Sequence, residues 1–157
     1  NEYAVSDKLV LLGASAGGHL ALLQAYKYAT PVKIKAVIDF FGPADLAEMY
    51  NNPASIFAPP ALLATVIGAT PTSNPAIYQQ SSPINFVTAQ SPPTIILQGG
   101  VDPLVAPTQS LSLKTKLDAM GVVNQYVFYP TETHGWSGAN LTHSFNAIQT
   151  FLSANVN

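Results

Sequence analysis

The sequence has no cysteine and no arginine, and only 9% of its 157 residues are charged. Without cysteine there is no disulfide, no thiolate nucleophile and no cysteine-based metal site. The compartment stays open, because many secreted proteins of this size need no disulfide. The six basic residues are all lysines, scattered along a chain of net charge -2, which argues against a phosphate-binding surface for nucleic acid. No apolar run reaches the roughly 18 to 20 residues of a membrane span. The first residues, Asn1-Glu2-Tyr3, carry neither a basic region nor an apolar signal core. There is no initiating methionine, so the chain is expected to be a piece of something longer. The three histidines fall in separate elements without ligand spacing, and neither a metal nor a cofactor is expected.

What is present is a chain rich enough in apolar residues, at 48%, to bury the core of one domain. An apolar run, Leu9 to Leu12, meets Gly13-Ala14-Ser15-Ala16-Gly17, and a helical run of Ala, Leu and Gln follows. Continuous apolar character suits a parallel strand covered on both faces. The strand is followed by a predicted helix from Ala16 to Tyr28, stopped by Thr30-Pro31. A second strand, Ile34 to Phe41, closes at Gly42-Pro43, so that a strand-helix-strand unit implies a parallel pair. Asp45 caps or opens a short helix over Ala44 to Tyr50. From there to Pro92 the pattern loosens into a proline-rich excursion with helices at Pro60 to Ile67 and Asn74 to Gln80. A connection of that length is uncommon without a function, and a cap over a cleft is the usual one. Its apolar residues Met49, Tyr50, Ile56, Phe57 and Leu62 either line an acyl pocket or pack the excursion onto the core. Order returns with a buried strand, Thr94 to Gln98, broken by Gly99-Gly100 into a loop that presents Asp102. A helix over Leu111 to Met120, a last strand over Gln125 to Pro130, a loop carrying His134 and a helix over Asn140 to Ala154 complete the chain.

The Gly-x-Ser-x-Gly turn carries the chemistry. A serine hydroxyl is a poor nucleophile unless it is exposed beside a base with N–H groups ready for an oxyanion. Here the turn exposes Ser15, and the N–H of Ala16 opens the following helix, where it gains from the positive end of the helix dipole. Asp102 and His134 each occupy a loop after a predicted parallel strand, as Ser15 does. Such loops share the carboxyl edge of a sheet, where ligands bind in open α/β folds. His19 lies inside the helix and is poorly aimed at Ser15, and His143 falls within the last helix. Asp39 and Asp45 are rival candidates for the acid, placed less well than Asp102. Asn140-Leu141-Thr142 matches a glycosylation sequon, a motif too short to carry weight.

The order Ser, Asp, His along the chain is that of α/β-hydrolases. With Gly13-Ala14-Ser15-Ala16-Gly17-Gly18-His19, Ser82-Pro83-Ile84 leading to Pro92-Pro93-Thr94, Gln98-Gly99-Gly100-Val101-Asp102-Pro103-Leu104-Val105-Ala106-Pro107, and Tyr129-Pro130 through His134-Gly135-Trp136, the chain resembles the C-terminal two-thirds of an α/β-hydrolase. It is most similar to the bacterial carboxylesterase and lipase-like branch that includes carbohydrate acetyl and feruloyl esterases. The resemblance implies a single domain over residues 1–157 that lacks the N-terminal strands of the fold, with a truncated, mostly parallel sheet of about four strands and a cap-like excursion over about 44–92. It implies Ser15 as nucleophile, His134 as general base and then acid, Asp102 as its partner, and the N–H of Ala16 in the oxyanion hole. The family's His-Gly-Gly type loop, which gives a second oxyanion N–H, has no counterpart here.

The function expected from this resemblance is hydrolysis of short-chain or carbohydrate-linked carboxylic esters through an acyl-enzyme, with a small-molecule ester as the only partner the chemistry requires. Activity should fall in acid as a histidine base takes up a proton. A serine peptidase of the prolyl-oligopeptidase type, and a catalytically impaired fragment with an assembly or binding role, remain open beside it. Without earlier strands, Leu9 to Leu12 becomes an exposed apolar edge, and a homodimer or other association through that edge is expected.

Overall fold

The structure, a computed structural model, describes residues 8–28 and 33–156. Four parallel strands form one sheet in sequence order: β1 (Leu9–Ala14), β2 (Ile34–Phe40), β3 (Thr94–Gly99) and β4 (Asn124–Tyr129). Helix α1 (Ala16–Lys27) joins β1 to β2, α5 (Pro107–Ala119) joins β3 to β4, and α6 (Gly138–Asn155) follows β4. Between β2 and β3 lies the excursion, with α2 (Leu46–Asn51), α3 (Pro60–Ile67), α4 (Pro75–Ser81) and a 3-10 turn at Pro83–Phe86. The Thr30-Pro31 stop expected for α1 lies outside the described residues.

The central strands β2 and β3 are mostly apolar because they are buried on both faces. Val37 and Ile96 pack with Leu22 of α1 and with Leu113 and Leu117 of α5. Ile38, Ile95 and Leu97 go to the opposite face, against Ile148 and Phe151 of α6. Strand β1 is at one edge, where Leu9 and Leu12 are exposed. Among the described residues, no helix is long and apolar enough to cross a membrane.

Two helices start earlier than their apolar periodicity predicts. Helix α5 begins at Pro107 rather than Leu111, since proline suits the first helical position. Its first turn also buries Gln109 and Ser110, polar residues that hide the inward face from a hydrophobic pattern. The Gln109 Oε1 accepts from the backbone N–H groups of Ala44 and Asp45 at 2.9 and 2.8 Å, and its Nε2 donates to Glu48. Gln109 thus fastens the start of the excursion to the core. Helix α6 begins two residues before Asn140, and α2 begins at Leu46 rather than Ala44. Asp45 is the N-cap of α2, accepting from Ala47 N and Glu48 N at 3.0 Å each. Ser82 ties the far end of the excursion down, accepting from Leu46 N at 2.9 Å and donating to Tyr78 O at 2.7 Å.

Asp39, on β2, is fully buried. Its Oδ1 accepts from Gly42 N at 2.9 Å, while Oδ2 has no hydrogen-bond partner. Burial pushes the carboxyl up to about 8, offset only in part by the bond from Gly42. A carboxyl whose folded pKa lies above its unfolded value of about 3.9 keeps a proton in the native state that the unfolded chain has released. Stability from this group is therefore full below about pH 4 and declines as pH rises towards 8, by at most about 1.4 kcal/mol per pH unit. We expect urea unfolding midpoints of the wild-type chain to fall between pH 5 and pH 8, and those of Asp39→Asn to fall less steeply. An unchanged slope in the variant would assign the pH dependence to another group.

Candidate active site

Each of the three candidate side chains follows a strand, and in each case the local backbone aims it. At the β1–α1 junction Ser15 has φ 55° and ψ -123°, a left-handed conformation that costs strain in a residue with a Cβ. The junction is tight because Gly13 has no side chain: a Cβ there would fall 2.1 Å from the carbonyl oxygen of Gly17. Ser15 N donates to Phe40 O at 2.8 Å, fixing the turn to β2. Although Ser15 is the N-cap of α1, its hydroxyl makes no capping bond. The hydroxyl meets His134 instead, with Oγ 2.9 Å from Nε2. Ala16 opens α1, so its N–H is one of the first four that have no partner within the helix.

His134 and Asp102 come from loops held edge to edge. Gly100 N donates to Tyr129 O at 2.8 Å and Val101 N to Glu132 O at 3.0 Å. Such closeness requires Gly99, where a Cβ would lie 2.1 Å from Thr133 O. His134 Nδ1 is 2.8 Å from Asp102 Oδ2, and the Phe41 ring stands 4.6 Å from the imidazole, centroid to centroid. The Asp102 side chain is fully buried and that of His134 is 17% exposed. Burial raises the Asp102 carboxyl, but the hydrogen bonds from His134, Val105 N and Leu104 N outweigh it and hold the group below the usual carboxylate range. Its Oδ1 accepts from Leu104 N at 2.8 Å and from Val105 N at 3.0 Å.

Sequence reasoning missed one polar contributor. Gln98 is fully buried on β3 and its Nε2 lies 3.3 Å from Asp102 Oδ2, while Ser110 donates to its Oε1 at 2.7 Å. The signal available was a polar residue ending an apolar strand four positions before Asp102. The other candidates are engaged elsewhere: Asp39 with Gly42 and Asp45 with α2. His19 Nδ1 pairs with Pro43 O at 3.1 Å, and burial lowers its pKa despite that bond. His143 Nδ1 is 2.9 Å from the hydroxyl of Tyr129.

Beside Ser15 and Ala16 a hollow of about 340 Å³ opens under the excursion. Met49, Phe57 and Leu62 line it as expected, whereas Tyr50 packs edge-on against Tyr78 and Ile56 is 87% exposed. Its other walls include Leu46, Leu63 and Val105.

In sequence and fold the chain is similar to known hydrolases. The chain is 28% identical to Esterase LipQ of Mycobacterium tuberculosis over 93% of its own length. It spans only 38% of that relative. Among solved structures it is similar to a truncated carbohydrate esterase from gut microbiota, at 27% identity and a TM-score of 0.74, covering 90% of this chain and 57% of that one. It is also similar to a puromycin-hydrolyzing peptidase of Mycobacterium tuberculosis, at 27% identity and a TM-score of 0.82, covering 99% of this chain and 23% of that one. The fold is that of the α/β-hydrolases. The BD-FAE family model matches residues 1–117, and on that match the chain belongs to the BD-FAE family.

Proposed function

We propose that this protein hydrolyses carboxylic esters by transferring their acyl group to Ser15. The observation that carries the reading is the unbroken hydrogen-bonded line from Ser15 Oγ through both nitrogens of His134 to the buried carboxylate of Asp102. In the first step Ser15 Oγ attacks the ester carbonyl carbon and His134 Nε2 takes the hydroxyl proton. Asp102 Oδ2 accepts a hydrogen bond from Nδ1–H, which orients the ring, and stabilises the imidazolium that results. The N–H of Ala16 receives the oxyanion, aided by the positive end of α1. Collapse of the tetrahedral species breaks the bond to the alcohol, which leaves with the proton from His134. Water then repeats the sequence on the acyl-serine, with His134 first as base and afterwards as acid.

Two features favour esters over peptides. The esterase LipQ and the carbohydrate esterase are relatives of this chain, and among the described residues no Asp, Glu, Lys or Arg lines the hollow beside Ser15 to pair with the charged end of a peptide. The carbohydrate esterase makes sugar-linked esters a natural alcohol class to assay. Peptide hydrolysis is the second reading, favoured by the likeness to the puromycin-hydrolyzing peptidase. An unactivated alkyl ester and a proline-containing p-nitroanilide separate the two: turnover of the ester with none of the anilide supports the proposal, and Ser15-dependent turnover of the anilide reverses it.

Ser15→Ala should abolish both ester turnover and covalent labelling by a fluorophosphonate. Labelling that survives the substitution removes Ser15 from the mechanism. Because Asp102 stays ionised at weakly acidic and neutral pH, Asp102→Asn should lower kcat by roughly 10³–10⁴ at neutral pH while leaving far-UV circular dichroism unchanged. A loss below about tenfold would contradict its assigned role.

A further inference from the structure

We infer that the hollow beside Ser15 is the acyl site and that it favours aliphatic acyl chains well longer than acetyl, because it is roomy and apolar. The inference rests on the ester-hydrolase reading above. Direction comes first. The alcohol must leave beside the ring that protonates it, so its place is at His134. The residues lining the hollow include Ser15 and Ala16 but not His134. The space therefore lies on the side of the carbonyl that stays bonded to serine, next to the N–H assigned to the oxyanion.

Chemistry and size follow from the walls. Leu46, Met49, Leu62, Leu63, Val66 and Ile67 present aliphatic surface, and no carboxylate, ammonium or guanidinium lines the space. A volume of about 340 Å³ is several times what an acetyl group needs, given the roughly 30 Å³ share of one water in the liquid. An acetyl group would leave most of that apolar surface wet. A medium-length chain would cover it, and each methylene withdrawn from water strengthens binding about three- to fourfold.

Helix α3 gives independent support. It has no charged residue and buries none of its side chains, and Leu62 and Val66 are 60% and 74% exposed. A solvent-exposed apolar helix against an apolar hollow is a surface with a missing partner. Leu62, Leu63, Val66 and Ile67 of α3 line the same hollow as Ser15, which puts this surface within reach of an acyl chain on the nucleophile.

The test uses p-nitrophenyl alkylphosphonates, in which the alkyl group on phosphorus stands where an acyl chain would. Ser15 Oγ forms a bond to phosphorus, the bond to p-nitrophenolate breaks, and His134 takes the hydroxyl proton. One equivalent of p-nitrophenolate is released, so no turnover is needed. We expect the octyl compound to react at least tenfold faster than the methyl compound. The octyl-to-methyl ratio should fall at least tenfold in Leu63→Trp, which fills the hollow, and also in Leu62→Asp, which charges its exposed rim. Because both rates are read on one protein, a loss of folded material does not alter the ratio. Equal or faster reaction of the methyl compound, or a ratio unmoved in both variants, overturns the acyl-site inference and leaves Ser15 as nucleophile. If neither compound reacts at Ser15 in the wild-type chain, the ester-hydrolase reading falls and the inference with it.

Discussion

The strained turn at Ser15 is the constraint on which the remainder of the site depends. Strand β1 must give way to α1 within two residues, and it can do so only because Gly13 lets the helix backbone close to within contact of the strand. The bond from Ser15 N to Phe40 O then locks the turn to β2. An N-cap serine ordinarily satisfies the helix with its own hydroxyl. Held at φ 55°, this one turns the hydroxyl away from its helix and towards His134. Part of the stability of the sheet thus maintains a backbone conformation that would be unfavourable in isolation.

The same sheet carries two buried carboxyl groups with opposite character. Asp39 has one hydrogen-bond donor and an oxygen with none, so burial prevails and the group holds its proton to about pH 8. Asp102 is also buried as a side chain, yet two backbone N–H groups and His134 Nδ1 bond to it, with the amide of Gln98 nearby. It stays ionised. Asp102 has more donors, reaching both of its oxygens, and is desolvated less completely than Asp39. That difference suits their positions, since a neutral acid can sit beside Gly13 and Gly18, whereas the role proposed for Asp102 needs a carboxylate.

Much of this was legible from residue order. Strands were expected at Leu9 to Leu12, Ile34 to Phe41 and Thr94 to Gln98, and a helix from Pro60, and the structure has them there, although β1 is an edge strand with Leu9 and Leu12 exposed and not one covered on both faces. The Ser15, Asp102 and His134 loops were expected at one sheet edge, and their side chains lie within hydrogen-bonding distance there. What the sequence hid were polar residues with buried partners. Gln109 and Ser110 concealed the first turn of α5, because a residue that satisfies its hydrogen bonds inside the core looks the same in sequence as one facing water. Gln98 escaped notice for the same reason. The protonation of Asp39 was equally invisible, since it follows from a missing donor. Of the residues expected around the acyl pocket, Tyr50 and Ile56 turned elsewhere, because helix facing in a proline-rich excursion is set by tertiary contacts and not by periodicity.

The most direct test is a crystal structure of the chain after reaction with an alkylphosphonate. The account predicts phosphorus bonded to Ser15 Oγ, a phosphonyl oxygen roughly 2.7–3.1 Å from Ala16 N, and the alkyl chain between α3 and α1. A phosphonate bonded elsewhere, or one on Ser15 whose oxygen turns away from Ala16, would contradict it.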